Sequence, residues 1–539
     1  MQVDVITDPK RLAELRENWD RLYESDPEAQ FFLSWTWLSR YLRLYDGTWF
    51  ILAARHGGPG SPYVGLMPLR LRTRLNNKTG HFFNEINMAG NYAADYTGAL
   101  CAPSHAGRTM QAFARHLCGM GWTRLHLENV RMSTGRLKAF LAAFPDETLA
   151  LREFSRVNKA DNVDNCRCFA ATLPDSFDTY LDKVLSTNTR QKLRRFLRKV
   201  DAGDLRVTEA DALTCHRDIE TLLEFWRLKW GERKGGRLTS ILRHNRVVLR
   251  DGFETGALYM PVLWQGDRPL GAVASFVDPV KKAMLFFIAG RDGTVTSIPV
   301  GLILHGHSIR TAIGRGFATY DFLRGDEPYK FAFGVTESRI HCAMIHTKSG
   351  RNFGNRLDPR SLDGIYAEVQ RFHERGELAR AESGYRQILG TDPGYARALY
   401  GLGQLVSAKG DHREARDLYA RLSAVSPNAS KVWFRLGAAL QTLEDHDGAV
   451  AAFRKSLARN DEFSAAQFSL GKSLGALDRA EEAVEVLQDL VRRLEGAQRD
   501  ESLLVKTRVL LRRFRQGAQP SYIMLDPRPA APRPMVPGP

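Results

Sequence analysis

Hydrophobic positions along this chain follow two different rules. Up to about residue 350 they come in short runs between turn residues, and strand-like patterns alternate with helix-like ones. Residues 49–55 and 63–70 read as an antiparallel hairpin, 109–119 as a helix and 123–127 as a strand. A second pass starts near Cys166. Residues 177–185, 188–200 and 217–232 carry helical spacing. Residues 257–264, 269–277 and 283–289 then read as three consecutive strands, with turns at Gln265-Gly266-Asp267 and Asp278-Pro279.

Beyond residue 362 the rule is strict repetition. Ala381, Ala415, Ala449 and Ala483 stand 34 residues apart, each followed four positions later by Tyr385, Tyr419, Phe453 or Leu487. Twelve positions before the alanines come Val369, Gly403, Gly437 and Gly471, and Leu402, Leu436 and Leu470 precede the glycines. This is the tetratricopeptide period, in which a small residue marks where paired helices touch and a large one fills the gap beside it. Four units over 362–498 and a capping helix at 501–515 predict a solenoid with a protein partner on its concave face. The proline-rich end, 516–539, reads as a disordered tail.

The most informative stretch is 282–334. An apolar run ends in a loop carrying Gly290, Arg291, Asp292, Gly293 and Ser297. Pro299 then opens a predicted helix whose apolar face includes Ile298, Leu302, Leu304 and Ile309. Gly314 and Gly316 stop it, and residues 318–323 begin another strand. A glycine-bearing loop feeding a helix start presents free N–H groups and partial positive charge, which suits a phosphate.

The Ser297-Ile298-Pro299-Val300-Gly301 helix start, the glycines after the helix, and Tyr320-Asp321-Phe322-Leu323-Arg324-Gly325-Asp326 running into Tyr329-Lys330-Phe331 resemble the CelD/BcsL-type GNAT acyltransferases. These are relatives of the Fem-type peptidyltransferases. The resemblance extends over most of residues 1–350. It implies α+β tandem GNAT-like domains, at 1–165 (structural) and 166–350 (catalytic), ahead of the all-α solenoid. It also implies acetyl-CoA or another acyl-CoA as co-substrate, its pyrophosphate held at Arg291, Ser297, Val300 and Gly301. N- or O-acylation of a small-molecule or glycan acceptor follows, with a link to cellulose or exopolysaccharide production. Two alternatives stay open: an aminoacyl-tRNA-dependent Fem-like transferase, and a non-catalytic GNAT scaffold.

The net charge of +16 changes the picture only in part. It fits a polyanionic cofactor and leaves a nucleic-acid partner possible. Much of it concentrates in residues 188–200, where Arg190, Lys192, Arg194, Arg195, Arg198 and Lys199 surround a Leu193, Phe196, Leu197, Val200 stripe, with Asn188 as the expected cap. Six cysteines without a C-x-x-C pair read as reduced, mostly buried thiols of a cytoplasmic protein. The N-terminus lacks the apolar core of a secretory signal, and no run approaches the roughly 18 apolar residues of a membrane span.

Acyl transfer needs a proton acceptor, oriented reactants and donors for the developing oxyanion. Asp321, at the end of the strand after the phosphate-binding helix, is the expected base or the orienter of a water relay, and Tyr329 the expected donor to the leaving thiolate. Trp226 and Lys229, with Arg324, Asp326 and Lys330, are expected to bind the acceptor. His305 and His307, two apart on a helix, point to different sides, and no metal motif is present.

Overall fold

The computed structural model describes residues 1–90, 94–159, 162–497 and 500–516. Two compact units divide the chain: residues 1–75 with 82–361, and residues from 362 onward with 76–81. The proline-rich segment lies almost wholly outside the described residues.

The first unit contains two large sheets with the same layout, beside a two-stranded one at Val157–Asn158 and Val163–Asp164. One follows the order Gln2–Ile6, Trp49–Arg55, Tyr63–Leu75, Phe82–Met88, Arg124–Val130, His341–Thr347, Leu149–Glu153. The other runs Arg206–Glu209, Pro261–Gln265, Arg268–Asp278, Ala283–Arg291, Thr319–Arg324, Arg167–Thr172, Thr336–Arg339. In each the fourth and fifth strands are parallel and every other step along the path is antiparallel. The parallel step is the one that needs a crossover helix. Ala106–Cys118 lies in the first crossover and Val300–Gly314 in the second.

The sequence division at 165/166 needs one correction. The sixth strand of the first sheet, His341–Thr347, arrives from beyond the second sheet, so the first subdomain is discontinuous. Short strands whose partners lie about 200 residues away leave no local signal of their destination.

Several elements were not expected from sequence: the strands Arg206–Glu209 and Thr336–Arg339 of the second sheet, the long helix Leu238–Glu254, and the strands Gln2–Ile6, Phe82–Met88, Leu149–Glu153 and His341–Thr347 of the first sheet among them. The strands Pro261–Gln265, Arg268–Asp278, Ala283–Arg291 and Thr319–Arg324 lie within a few residues of expectation. The second unit is four helix pairs and a further helix, from Leu362–Glu374 to Glu501–Arg515. Ala381, Ala415, Ala449 and Ala483 are fully buried. A Cβ built on Gly403, Gly437 or Gly471 would come 2.6 Å from Tyr419, Phe453 or Leu487. The large residue of the second helix in each pair therefore rests on the glycine of the first. No helix among the described residues is long and apolar enough to cross a membrane.

Candidate acyl-transfer cleft

The parallel strands Ala283–Arg291 and Thr319–Arg324 pair only at Ala283/Thr319, Met284/Tyr320 and Leu285/Asp321. Beyond that point each keeps its outer neighbour, through Gly290/Ala272 on one side and Arg324/Cys168 on the other. The strands thus part, and the ladder between them stops at Leu285/Asp321. A cleft of about 980 Å³ occupies the gap, lined by Phe286, Phe287, Gly290 and Arg291 on one strand and Phe322, Leu323 and Arg324 on the other. That volume suits an organic cofactor.

Three helices build its walls. Val300–Gly314 contributes Val300, Gly301, Leu304 and His305. Pro299 is its N-cap rather than its first residue. Ile303 N–H already bonds the Pro299 carbonyl, and Val300 N–H bonds that of Ile298. The N–H groups of Gly301 and Leu302 are then the ones the first turn leaves for a ligand. A Cβ on Gly301 would meet nothing within 4 Å, so that glycine borders open space.

The helix Thr187–Asp201 is the expected basic one. Its cap is Ser186, whose hydroxyl accepts from Thr189 N–H at 3.3 Å, not Asn188. Asn188, freed from capping, lines the cleft with Thr189 and Lys192. Arg190 and Arg194 instead pair with Asp182, at 3.4 and 2.9 Å.

Cys215–Lys234 supplies Trp226, Lys229, Trp230 and Lys234. It can lie this close to the sheet because of Gly290, where a Cβ would fall 2.6 Å from the Leu222 carbonyl oxygen and 2.8 Å from Phe225 Cβ.

The expected residues separate into two groups. Arg291, Val300, Gly301, Trp226, Lys229, Arg324, Tyr329 and Lys330 all line the cleft. Ser297 is exposed in the preceding loop and does not. Asp326 turns away, bonding Arg167 at 2.8 Å and Asp164 N–H at 2.7 Å. Asp321 is the larger departure. It is buried outside the cleft lining, with its carboxylate accepting from Tyr96 Oη at 3.0 and 3.1 Å, Arg131 Nη1 at 3.1 Å and Leu323 N–H at 2.8 Å. The first two donors come from the first subdomain. A carboxylate so occupied is a tie between subdomains, which removes the expectation that it takes the acceptor's proton.

The same tie fixes the edge of the cleft. Leu323 has φ of +58°, a left-handed conformation that is costly for a leucine. Its N–H to its neighbour's carboxylate helps to hold it there. Arg324 is bound to Asp95 through Nε at 2.6 Å and to Asn129 at 3.1 Å. Lys330, fully buried, donates to the carbonyls of Arg324 and Gly325 at 2.7 and 2.9 Å and pairs with Glu327 at 3.0 Å. It locks the turn after the strand and holds Glu327 on the cleft wall.

Two aromatic groups close the floor. His305 places Nδ1 3.0 Å from Tyr320 Oη, and its ring stacks on Tyr329 with centroids 5.8 Å apart. Burial, with Lys330 nearby, pushes the imidazole down to about 3, so it stays neutral. Although 42% of Tyr329 is exposed, partial desolvation of its phenol, with Glu327 nearby, raises it, so it stays an O–H donor. His307 turns away to Tyr259 Oη at 3.1 Å. Sequence reasoning missed His305 and the first-subdomain residues Asp95, Asn158 and Asn165 as parts of this wall. The alternating tyrosine and phenylalanine of residues 320–333 was the available signal for an aromatic floor.

Residues 187–331 match the model of the acetyltransferase (GNAT) domain, and residues 372–443 and 434–497 match two tetratricopeptide repeat models. The chain therefore carries a GNAT acetyltransferase-like domain followed by tetratricopeptide repeats. No curated protein matches the sequence. Among solved structures, FemX is similar over 64% of this chain and 97% of its own, at 12% identity and TM-score 0.43. A conserved protein of Bacteroides thetaiotaomicron is similar over 62% and 97%, at 9% identity and TM-score 0.41. The MamA protein is similar over 29% and 87%, at 18% identity and TM-score 0.26.

Proposed function

We propose that the parted strands bind an acyl-CoA and that the chain transfers its acyl group to an acceptor entering from the Trp226 side. The observation that carries this reading is the gap between residues 286–291 and 322–324, whose lining includes the Gly301 helix start. A pantetheine-like chain has amide groups that can bond the backbone of residues 286–291, as an added strand would. The pyrophosphate would meet the N–H groups of Gly301 and Leu302, with Arg291 and Lys192 nearby.

Among the described residues two carboxylates line the cleft; Asp95 is held by Arg324, and Glu327 takes over the role first assigned to Asp321. It accepts the proton from the acceptor's amine or hydroxyl as that atom attacks the thioester carbonyl. Tyr329, held protonated and stacked on His305, donates to the departing thiolate. Lys330 and Arg324 act by holding Glu327 and the strand end in place. The acceptor is a small molecule or glycan, and the repeats recruit a protein partner. Co-crystallisation with CoA tests the donor: density should lie between the two strands, with the pyrophosphate within hydrogen-bond distance of Gly301. Density elsewhere removes this reading.

An aminoacyl-tRNA donor is the second reading, favoured by Lys192, Lys229, Lys234 and Arg291 at the cleft mouth and by the exposed Arg195, Arg198 and Lys199. Salt-dependent retention of charged tRNA, without CoA binding, would select it.

A further inference from the structure

A second cleft, of about 740 Å³, lies within the first unit and shares no lining residue with the first. Its walls are the helices Trp35–Leu44 and Leu238–Glu254, one from each subdomain, and its floor includes Arg70, Arg72 and Phe276. Arg40 bridges the two helices, to Asp251 at 2.5 Å and Glu254 at 2.8 Å. This pins the walls apart at a fixed spacing rather than letting them collapse together.

The chemistry of the lining is one-sided. Tyr41 and Tyr45 stack with centroids 5.8 Å apart and planes at 15°, and the Arg70 guanidinium lies 5.2 Å from the Tyr45 centroid. Trp37 packs edge-on to Phe276 at 5.3 Å, and its indole N–H is buried without an acceptor among the described residues. Arg40 is committed to Asp251 and Glu254, and Arg70 is buried against Tyr45, so the exposed cations of the lining are Arg72 and Arg243. Arg72 comes from the floor in the first subdomain and Arg243 from the helix wall in the second. Guanidinium groups supplied from two elements suit a group with several oxygens and more than one charge. Aromatic walls suit a flat ring or the apolar face of a sugar.

We infer that this cleft is a second ligand site, and that it binds a phosphate ester of a ring compound, with the ring against the tyrosines and the phosphate between Arg72 and Arg243. The site is independent of the donor assignment. Phe276 of this cleft and Phe287 of the first stand 5.1 Å apart, so the two ligands would be separated by one aromatic wall.

The test is calorimetry on the full chain with three probes: 4-nitrophenyl phosphate, glucose 1-phosphate and inorganic phosphate. At least one ring phosphate should bind saturably in the submillimolar range and more tightly than inorganic phosphate. The better of the two tells whether the ring is aromatic or a sugar. The double reversal Arg72→Glu with Arg243→Glu should weaken that probe about tenfold or more and leave CoA affinity unchanged. A matched reversal at the exposed Lys431 and Arg435 of the repeats should do nothing. Should the double reversal fail to fold, the milder Arg243→Gln carries the same expectation in direction. The inference is overturned if neither ring phosphate binds, if inorganic phosphate binds as well, if the reversal has no effect, or if the control reversal weakens binding equally. Loss of CoA affinity alongside probe affinity would likewise overturn it, by placing both probes in the first cleft.

Discussion

Asp321 holds Tyr96, Arg131 and the Leu323 N–H at once, and Tyr96 is kept protonated by burial and by that carboxylate. Asp321→Asn replaces one acceptor oxygen by a donor that faces donors. The half-exposed Arg131 charge then loses its partner, the buried Tyr96 hydroxyl loses an acceptor, and the left-handed Leu323 loses its support. Chemical denaturation should show a loss of about 1–3 kcal/mol, the scale for leaving buried polar groups unsatisfied, and CoA affinity should fall with it because Leu323 edges the cleft. Tyr329→Phe should behave in the opposite way. The ring stack on His305 stays, so the melting temperature should hold, while turnover falls about 100-fold. Unchanged turnover would remove Tyr329 from the chemistry. His305 gives a pH test. Its folded value of about 3 lies below the ordinary 6.5, so between those values the unfolded chain binds a proton that the folded chain does not. Stability should therefore be full above pH 6.5 and decline as pH falls, by up to about 1.4 kcal/mol per pH unit for this group. His305→Phe should flatten that slope in melting curves taken from pH 7 to pH 5.

At the scale of elements, the strand–loop–helix–strand of 282–334 was legible because everything it needs is local: apolar runs, a proline, and glycines at the ends. The boundaries moved by one residue at the site helix, yet that displacement matters, since it shifts the free N–H groups from Ser297 toward Gly301 and Leu302. The helix Leu238–Glu254 was not legible because much of its surface stays exposed or half-exposed, which leaves its apolar stripe broken by Arg243, His244, Asn245 and Arg246. Asp321 was misread for a related reason. Its partners Tyr96 and Arg131 are 225 and 190 residues away, and no local pattern announces them. The repeats were legible throughout, because each unit solves the same packing problem. Gly437→Val puts a branched side chain where Phe453 already stands 2.6 Å from a Cβ, and should destabilise the solenoid by about 1–3 kcal/mol. The loss should show in the helical signal at 222 nm on heating and leave CoA binding unaltered.

At the scale of the whole molecule, every residue of the proposed transfer cleft and of the Asp321 tie comes from residues 95–333. Both large sheets are complete within residues 1–347. A fragment of residues 1–361 should therefore fold alone and bind CoA as the full chain does, and residues 362–516 should melt as a separate transition in scanning calorimetry. A single cooperative transition together with an insoluble fragment would show that the units depend on each other for folding.

The account rests most heavily on the donor lying between the parted strands with its pyrophosphate at Gly301. Isothermal titration of CoA into the wild-type chain and into Gly301→Trp tests that directly. A Cβ at this position meets nothing, so the variant should fold with an unchanged melting temperature while its indole fills the helix start. The prediction is saturable binding to the wild type and a loss of about 100-fold or more in the variant. Equal affinity in the two folded proteins, or no binding to either, would contradict it.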